Sequence, residues 1–198
     1  MNLLSKNLVE NLEMDLSKIE INEADLNAID YVFLNKFNND VLSDLQYFNN
    51  VKECLLVGFD NITNEDIQII NSIKSIKKIR FSNCKFYRND VNLNCPNVEN
   101  VIFELTNLET LKNCVFENVM VLKIIDNNDF NIEDIEMFSK IENVCIYNSN
   151  IINSQEILKL TNLKVLDLQG AILDKNDLLS EIRKDIKVIN KSKYIKIM

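Results

Sequence analysis

The 198-residue sequence predicts an α/β solenoid: a curved parallel β-sheet on the concave side, short helical or 3-10 segments on the convex side, a helical cap at the N-terminus and a strand-like cap at the C-terminus. Three observations predict it. An apolar pattern returns seven times, beginning at Leu26, Phe48, Ile73, Cys95, Phe116, Phe138 and Leu160, in steps of 22, 25, 22, 21, 22 and 22 residues. Four slots of each copy are apolar in all seven, for example Leu26, Ile29, Val32 and Leu34, or Phe138, Ile141, Val144 and Ile146. Only two glycines and one proline occur, so no linker interrupts the array. One unit of this length cannot bury its apolar face alone, and stacking makes the core continuous.

Taken in order, residues 1–25 form the N-terminal cap and the lead-in to the first repeat, residues 26–181 the seven repeats, and residues 182–198 the C-terminal cap. Leu4, Leu8 and Leu12 lie on one helical face, and a solenoid end left uncapped would expose its apolar interior. The same helix is too acidic to favour an anionic membrane surface. Each repeat then divides in two. Its first half alternates apolar residues with β-branched and aromatic types, as a strand does. Its second half returns along the outside. Thr63-Asn64-Glu65-Asp66 before Ile67, and Asn131-Ile132-Glu133-Asp134 before Ile135, read as helix starts. One apolar residue per return segment plugs the core: Leu45, Ile67, Cys114, Ile135, Ile157 and Leu179. Residues 176–184 continue as an outer helix. In the tail, 187–190 and 194–197 read as short strands whose lysines discourage edge-to-edge pairing. A basic binding arm is the rival reading of this tail.

The best copy, Leu160 to Leu173, has the spacing LxxLxxLxLxxxxL and resembles the leucine-rich repeat. Units of about 22 residues resemble the shorter internalin-like and SDS22-like kinds. The resemblance implies short α or 3-10 turns on the convex side and an asparagine after each strand that ladders the backbone between repeats. This sequence departs from that pattern: the slot holds Phe37, Phe59, Cys84, Thr106, Asn127, Ser149 and Ala171. Phe and Ala cannot make the bond, and an aromatic stack of Phe37 on Phe59 is the expected substitute in the first two repeats.

Several function classes are set aside by composition. There is no histidine, the usual general base near neutral pH, and too few glycines for a phosphate loop. No catalytic residues are assigned, and no cofactor or metal is expected. Asp126 to Asp129 lacks the spacing and glycine of a calcium loop. A net charge of −8 argues against nucleic acid, and no apolar run is long enough to span a bilayer. Five cysteines without a CxxC pair and no signal-peptide pattern at the start point to a reducing cytoplasm and a monomer. Cys145 alone of the five falls on an outward strand position, with no basic residue on its own strand.

What remains is a surface. Residues between the inward positions line the concave wall. They place Tyr31, Phe33, Leu55 and Val57 together near the N-terminal end, with Ile102, Ile125 and Tyr147 further along. A contiguous apolar and aromatic face marks an interaction site. Lys78, Arg80 and Lys123 add charge to the same wall. Lys78 and Arg80 belong to a basic cluster in the third repeat, which either recognises an acidic patch or is neutralised by Glu99 and Glu104 next door. Two arrangements would remove the apolar face: a one-residue register slip at Cys54–Val57, or the N-terminal helix folded across it. The expected function is non-catalytic binding of a protein partner through these ten residues. A cytosolic scaffold, and a secreted effector or toxin-immunity protein, use such a face equally well.

Overall fold

The computed structural model describes residues 26–35, 42, 44–87, 93–112, 114–175 and 177–189. The N-terminal helix, Phe37 and the 194–197 strand lie outside the described residues.

One five-residue strand opens each of the first five repeats: β1 (Tyr31–Asn35), β2 (Glu53–Val57), β3 (Lys78–Ser82), β4 (Asn100–Glu104) and β5 (Val121–Ile125). On the convex side β6 (Phe130–Asn131) follows, then β7 (Asn143–Tyr147), β8 (Asn150–Ile152), β9 (Val165–Asp167), β10 (Ile172–Leu173) and β11 (Lys187–Ile189). Among the described residues, β1-β2-β3-β4-β5-β7-β9-β11 form one parallel sheet, and β10-β8-β6 a smaller parallel sheet on the opposite wall. β11 pairs in parallel with β9, so the lysine-bearing segment at 187 extends the sheet as a further rung.

The strands alternate because one face meets the core. In β2, Cys54 and Leu56 are buried while Leu55 and Val57 are half-buried on the other side, so no register slip occurs there. Neighbouring strands align without offset, from Tyr31 opposite Glu53 to Cys145 opposite Asp167. The inward slots of successive repeats therefore stack directly. Phe81 and Phe103 lie ring on ring at 5.7 Å and 7°, and Phe130 continues from Phe103 at 6.0 Å. The aromatic spine thus runs through the middle repeats, on strand positions; the stack expected of Phe37 on Phe59 involves Phe37, which lies outside the described residues.

The return segments are short, as the repeat length requires. The second repeat, the longest, has room for a nine-residue helix, α1 (Asn64–Ser72). Thr63 and Asp66 cap it reciprocally, Asp66 N–H donating to Thr63 Oγ1 and Thr63 N–H to Asp66 Oδ2. Short 3-10 segments serve at Asp44–Tyr47, Ile135–Met137 and Ser154–Lys159. Leu45, Ile67, Cys114, Ile135 and Ile157 plug the core as expected. In the last unit the plug is Leu178, which opens the four-residue helix α2 (Leu178–Glu181), while Leu179 is only partly buried against the core. The convex strands β6, β8 and β10 were not anticipated. Two- and three-residue strands carry no periodicity to read.

The asparagine ladder survives in changed chemistry. Cys84 Sγ reaches Leu56 O at 3.3 Å and Ser82 O at 3.4 Å. Asn127 Nδ2 donates to Phe103 O and Ile125 O, and its Oδ1 accepts from Thr106 N–H at 2.8 Å. Ser149 Oγ donates to Tyr147 O and accepts from Asn127 N–H. Asn127 donates both to the carbonyl two residues back and to one in the preceding repeat's strand, whereas Cys84 and Ser149 each carry a single proton that serves one of the two carbonyls in reach. A thiol or hydroxyl thus does part of the work of an amide in the buried turn. Directly before this slot, every described repeat turns through positive φ: Gly58, Asn83, Leu105, Asp126, Asn148 and Gly170.

Candidate functional site

The outer face of the large sheet carries three rows of side chains, set by the register. The middle row is Phe33, Leu55, Arg80, Ile102, Lys123, Cys145, Asp167 and Ile189. All ten candidate residues lie on this face. Tyr31 and Phe33 are the most open, at 49% and 37% exposure. Leu55, Val57, Lys78, Arg80, Lys123, Ile125 and Tyr147 are half-buried. Ile102 is an exception: it sits in the middle row but is only 7% exposed, with Arg80 and Lys123 directly beside it in register. Long cationic side chains lay their methylene stems over an apolar neighbour, so Ile102 offers little surface.

At the N-terminal end Tyr31, Glu53, Cys54, Leu55, Lys78 and Arg80 line a cleft of about 90 Å³. Its charges are already paired. Lys78 Nζ meets Glu53 Oε2 at 2.8 Å, and Arg80 brings Nε and Nη2 to Glu104 Oε2 at 3.1 and 2.6 Å. Ser82 Oγ donates to the same Glu104 oxygen. Burial works to raise the Glu104 pKa, but the hydrogen bonds from Ser82 and Arg80 outweigh it and hold the carboxyl below its ordinary range. Lys77 pairs with Glu99 on the adjoining rim. The basic cluster of the third repeat is thus neutralised within the chain at these three residues, which leaves shape and apolar surface as what the cleft presents.

The C-terminal half differs. Lys123, Cys145 and Asp167 stand side by side across three strands, and Tyr147 O–H donates to Asp167 Oδ2 at 2.9 Å. Burial raises the Cys145 pKa, against the hydrogen bond with Tyr147 and the positive charge of Lys123. The basic neighbour missing from its own strand is therefore supplied by the next one, where linear inspection does not look. Burial also pushes the Tyr147 hydroxyl up, with the Asp167 hydrogen bond adding to it. The other four thiols are free and buried. Burial lifts Cys54, Cys95 and Cys114 to about 12 and Cys84 to about 11. Inert protonated thiols are core filler in any redox setting, so their number does not report a compartment.

Sequence reading passed over two residues of this region. Leu105 is 53% exposed beside the sheet, in a left-handed conformation (φ 50°) that a leucine rarely adopts. Asp167 is buried on the open face. Strand alternation already places Asp167 in the outward middle row, but its burial there shows only in the folded chain.

Parallel repeat strands, a laddered turn after each and a short-turned convex wall define a leucine-rich-repeat solenoid. Solved structures of similar fold are internalins. An internalin (inlF) from Listeria monocytogenes superposes with a TM-score of 0.66 at 15% identity over 98% of this chain. A second internalin of that bacterium gives 0.58 at 15% over 98%, and an internalin-like protein of the same organism 0.61 at 16% over 92%. This chain spans 56%, 89% and 65% of those three proteins respectively. No family model matches the sequence, and no curated protein matches it. The expectation of a cytoplasmic setting does not stand, because the thiols it drew on are buried filler that reports no compartment. A protein described as a secreted internalin-like protein of Listeria monocytogenes also matches, 16% identical over 96% of this chain and 63% of its own length, at a TM-score of 0.48. No helix among the described residues is long and apolar enough to cross a membrane.

Proposed function

We propose that this chain is a non-catalytic module that binds a protein partner through the concave sheet face, with Tyr31 and Phe33 as the anchors. The observation that carries this reading is the pair of open aromatic rings on successive outward positions of β1, with Tyr31 lining a cleft whose charges are already satisfied. Rings bring large contact area for few rotatable bonds, and interface energy concentrates in a few such residues. Leu55, Val57 and Ile125 extend the apolar surface, and Lys78 sits at its edge. Arg80 acts by holding Glu104, which makes it a poorer probe of recognition than Lys78.

The test is quantitative affinity capture from the native organism with the wild-type chain and with Tyr31→Ala/Phe33→Ala. The double variant is expected to keep its melting transition and to lose about 2 kcal/mol or more of binding to the captured protein. Unfolding of the variant, or capture with undiminished affinity, refutes the assignment. Scaffold and secreted-effector or immunity roles use the same face. Immunodetection in culture supernatant against cell lysate separates them.

A further inference from the structure

Building on the concave-face reading, we propose that Asp167 is the receptor for a cation carried by the bound partner, the guanidinium or ammonium group of an arginine or lysine side chain. Asp167 stands in the middle row of the open sheet face and is nevertheless 7% exposed. Its Oδ2 accepts from Tyr147 O–H at 2.9 Å and from Gln169 Nε2 at 3.1 Å. Its Oδ1 is enclosed and has no hydrogen-bond partner. No lysine or arginine among the described residues forms an ion pair with it. Buried carboxylates are tolerated where a cation pairs with them and the remaining lone pairs are filled. Here both donors are neutral and both serve the same oxygen. The N-terminal half of the same face shows the contrast, since Glu53 and Glu104 there each have a cation in contact.

Among the described residues, the alternatives do not fill the gap. Lys123 lies in the same row but two strands away, about 9 to 10 Å at ordinary strand spacing, with Cys145 between them. No cluster of three metal-ligating side chains exists among the described residues. An ionised carboxylate only accepts hydrogen bonds, so the group that completes Oδ1 is a donor, and one bearing positive charge also offsets the buried charge. Gln169 is half-buried and makes the longer of the two bonds to Oδ2, while Tyr147 makes the shorter one and keeps the carboxylate oriented.

The probe is N-acetyl-arginine methylamide, with its neutral isostere N-acetyl-citrulline methylamide as control, titrated into the full chain at low salt and followed by NMR of the Asp167 carboxyl and Tyr147 ring. The arginine probe is expected to shift both signals saturably and the citrulline probe to bind about tenfold more weakly or less. Asp167→Asn should weaken arginine binding by about tenfold or more, and Lys123→Met should strengthen it by removing a like charge. Equal binding of the two probes, or no saturable shift in the wild type, means that Oδ1 is hydrated only and overturns the proposal. Should Asp167→Asn fail to fold, unchanged affinity in Lys123→Met overturns it as well. Failure here leaves the Tyr31 and Phe33 assignment standing, and failure of that assignment does not move this titration.

Discussion

Replacing Asn127 with alanine tests whether the post-strand ladder holds this solenoid together. The side chain is fully buried and makes two bonds to the carbonyls of Phe103 and Ile125 and one from Thr106 N–H, with Thr106 Oγ1 also in reach. Alanine removes all of them. Ile125 O keeps a second donor, Leu105 N–H, whereas Thr106 N–H is left without an acceptor. Three buried bonds at about 1 kcal/mol each, with about 1 kcal/mol or more for the stranded donor, give a loss of about 3 to 5 kcal/mol. Asn127→Ser should recover about 1 kcal/mol of this, because Ser149 shows that a hydroxyl reaches the carbonyl two residues back. Asn162→Ala is the matched control. Its amide bonds Ser139 O in the same inter-repeat manner but at the surface, where water replaces it, and the cost should stay below about 1 kcal/mol. The assay is urea unfolding followed by circular dichroism, comparing midpoints at constant slope. An Asn127→Ala variant within about 1 kcal/mol of wild type, or one no worse than Asn162→Ala, would refute the reasoning.

Three further outcomes follow from named contacts. With the folded thiols of Cys54, Cys84, Cys95 and Cys114 raised from the ordinary 9.0 to about 11 or 12, the unfolded chain loses protons first, so their stability is full below pH 9 and falls as pH rises toward 12; urea midpoints should drop between pH 8 and 10, and maleimide should label Cys145 alone in the folded chain. Glu104, depressed below 4.5, contributes stability above that value and loses it as pH falls through its folded pKa; the gap between wild type and Arg80→Met should be widest at pH 6 and narrow by pH 3, and a pH-independent gap would count against the pair. Opposite effects are expected in the left-handed turns: Leu105→Gly should raise stability by up to about 1 kcal/mol by relieving strain, whereas Gly170→Ala should lower it, since the new Cβ would lie 2.4 Å from Asn148 Oδ1 at φ +71°; matching signs in thermal melts would contradict the turn geometry.

Much of the candidate site was legible because a strand has period two. Once Val32, Leu34, Cys54 and Leu56 are inward, Tyr31, Phe33, Leu55 and Val57 have only one place to go. Charge pairing was harder to read. Glu104 was in view as a neighbour of Arg80, but Glu53 as the partner of Lys78 lies 25 residues away on the other side. The burial of Ile102 under Arg80 and Lys123 depends on how long side chains lie across strands, which no spacing rule encodes. Leu179 was chosen over Leu178 as the last plug because both fit the pattern within one residue, and only packing separates them.

The sequence by itself determined the solenoid, its repeat length, the inward and outward sets of residues and hence the identity of the open face. Those follow from local periodicity, which repeats seven times and reinforces itself. Tertiary structure alone decided what lies beside what across strands: the Phe81–Phe103–Phe130 stack, the mixed cysteine, asparagine and serine ladder, the convex strands, and the carboxylate of Asp167 left with an unfilled oxygen. Such contacts join residues about 20 to 28 positions apart, and their partners depend on side-chain length and on insertions such as the 25-residue second repeat. A periodic pattern fixes which way a side chain points, whereas the groups it meets are set by how far the neighbouring repeat reaches.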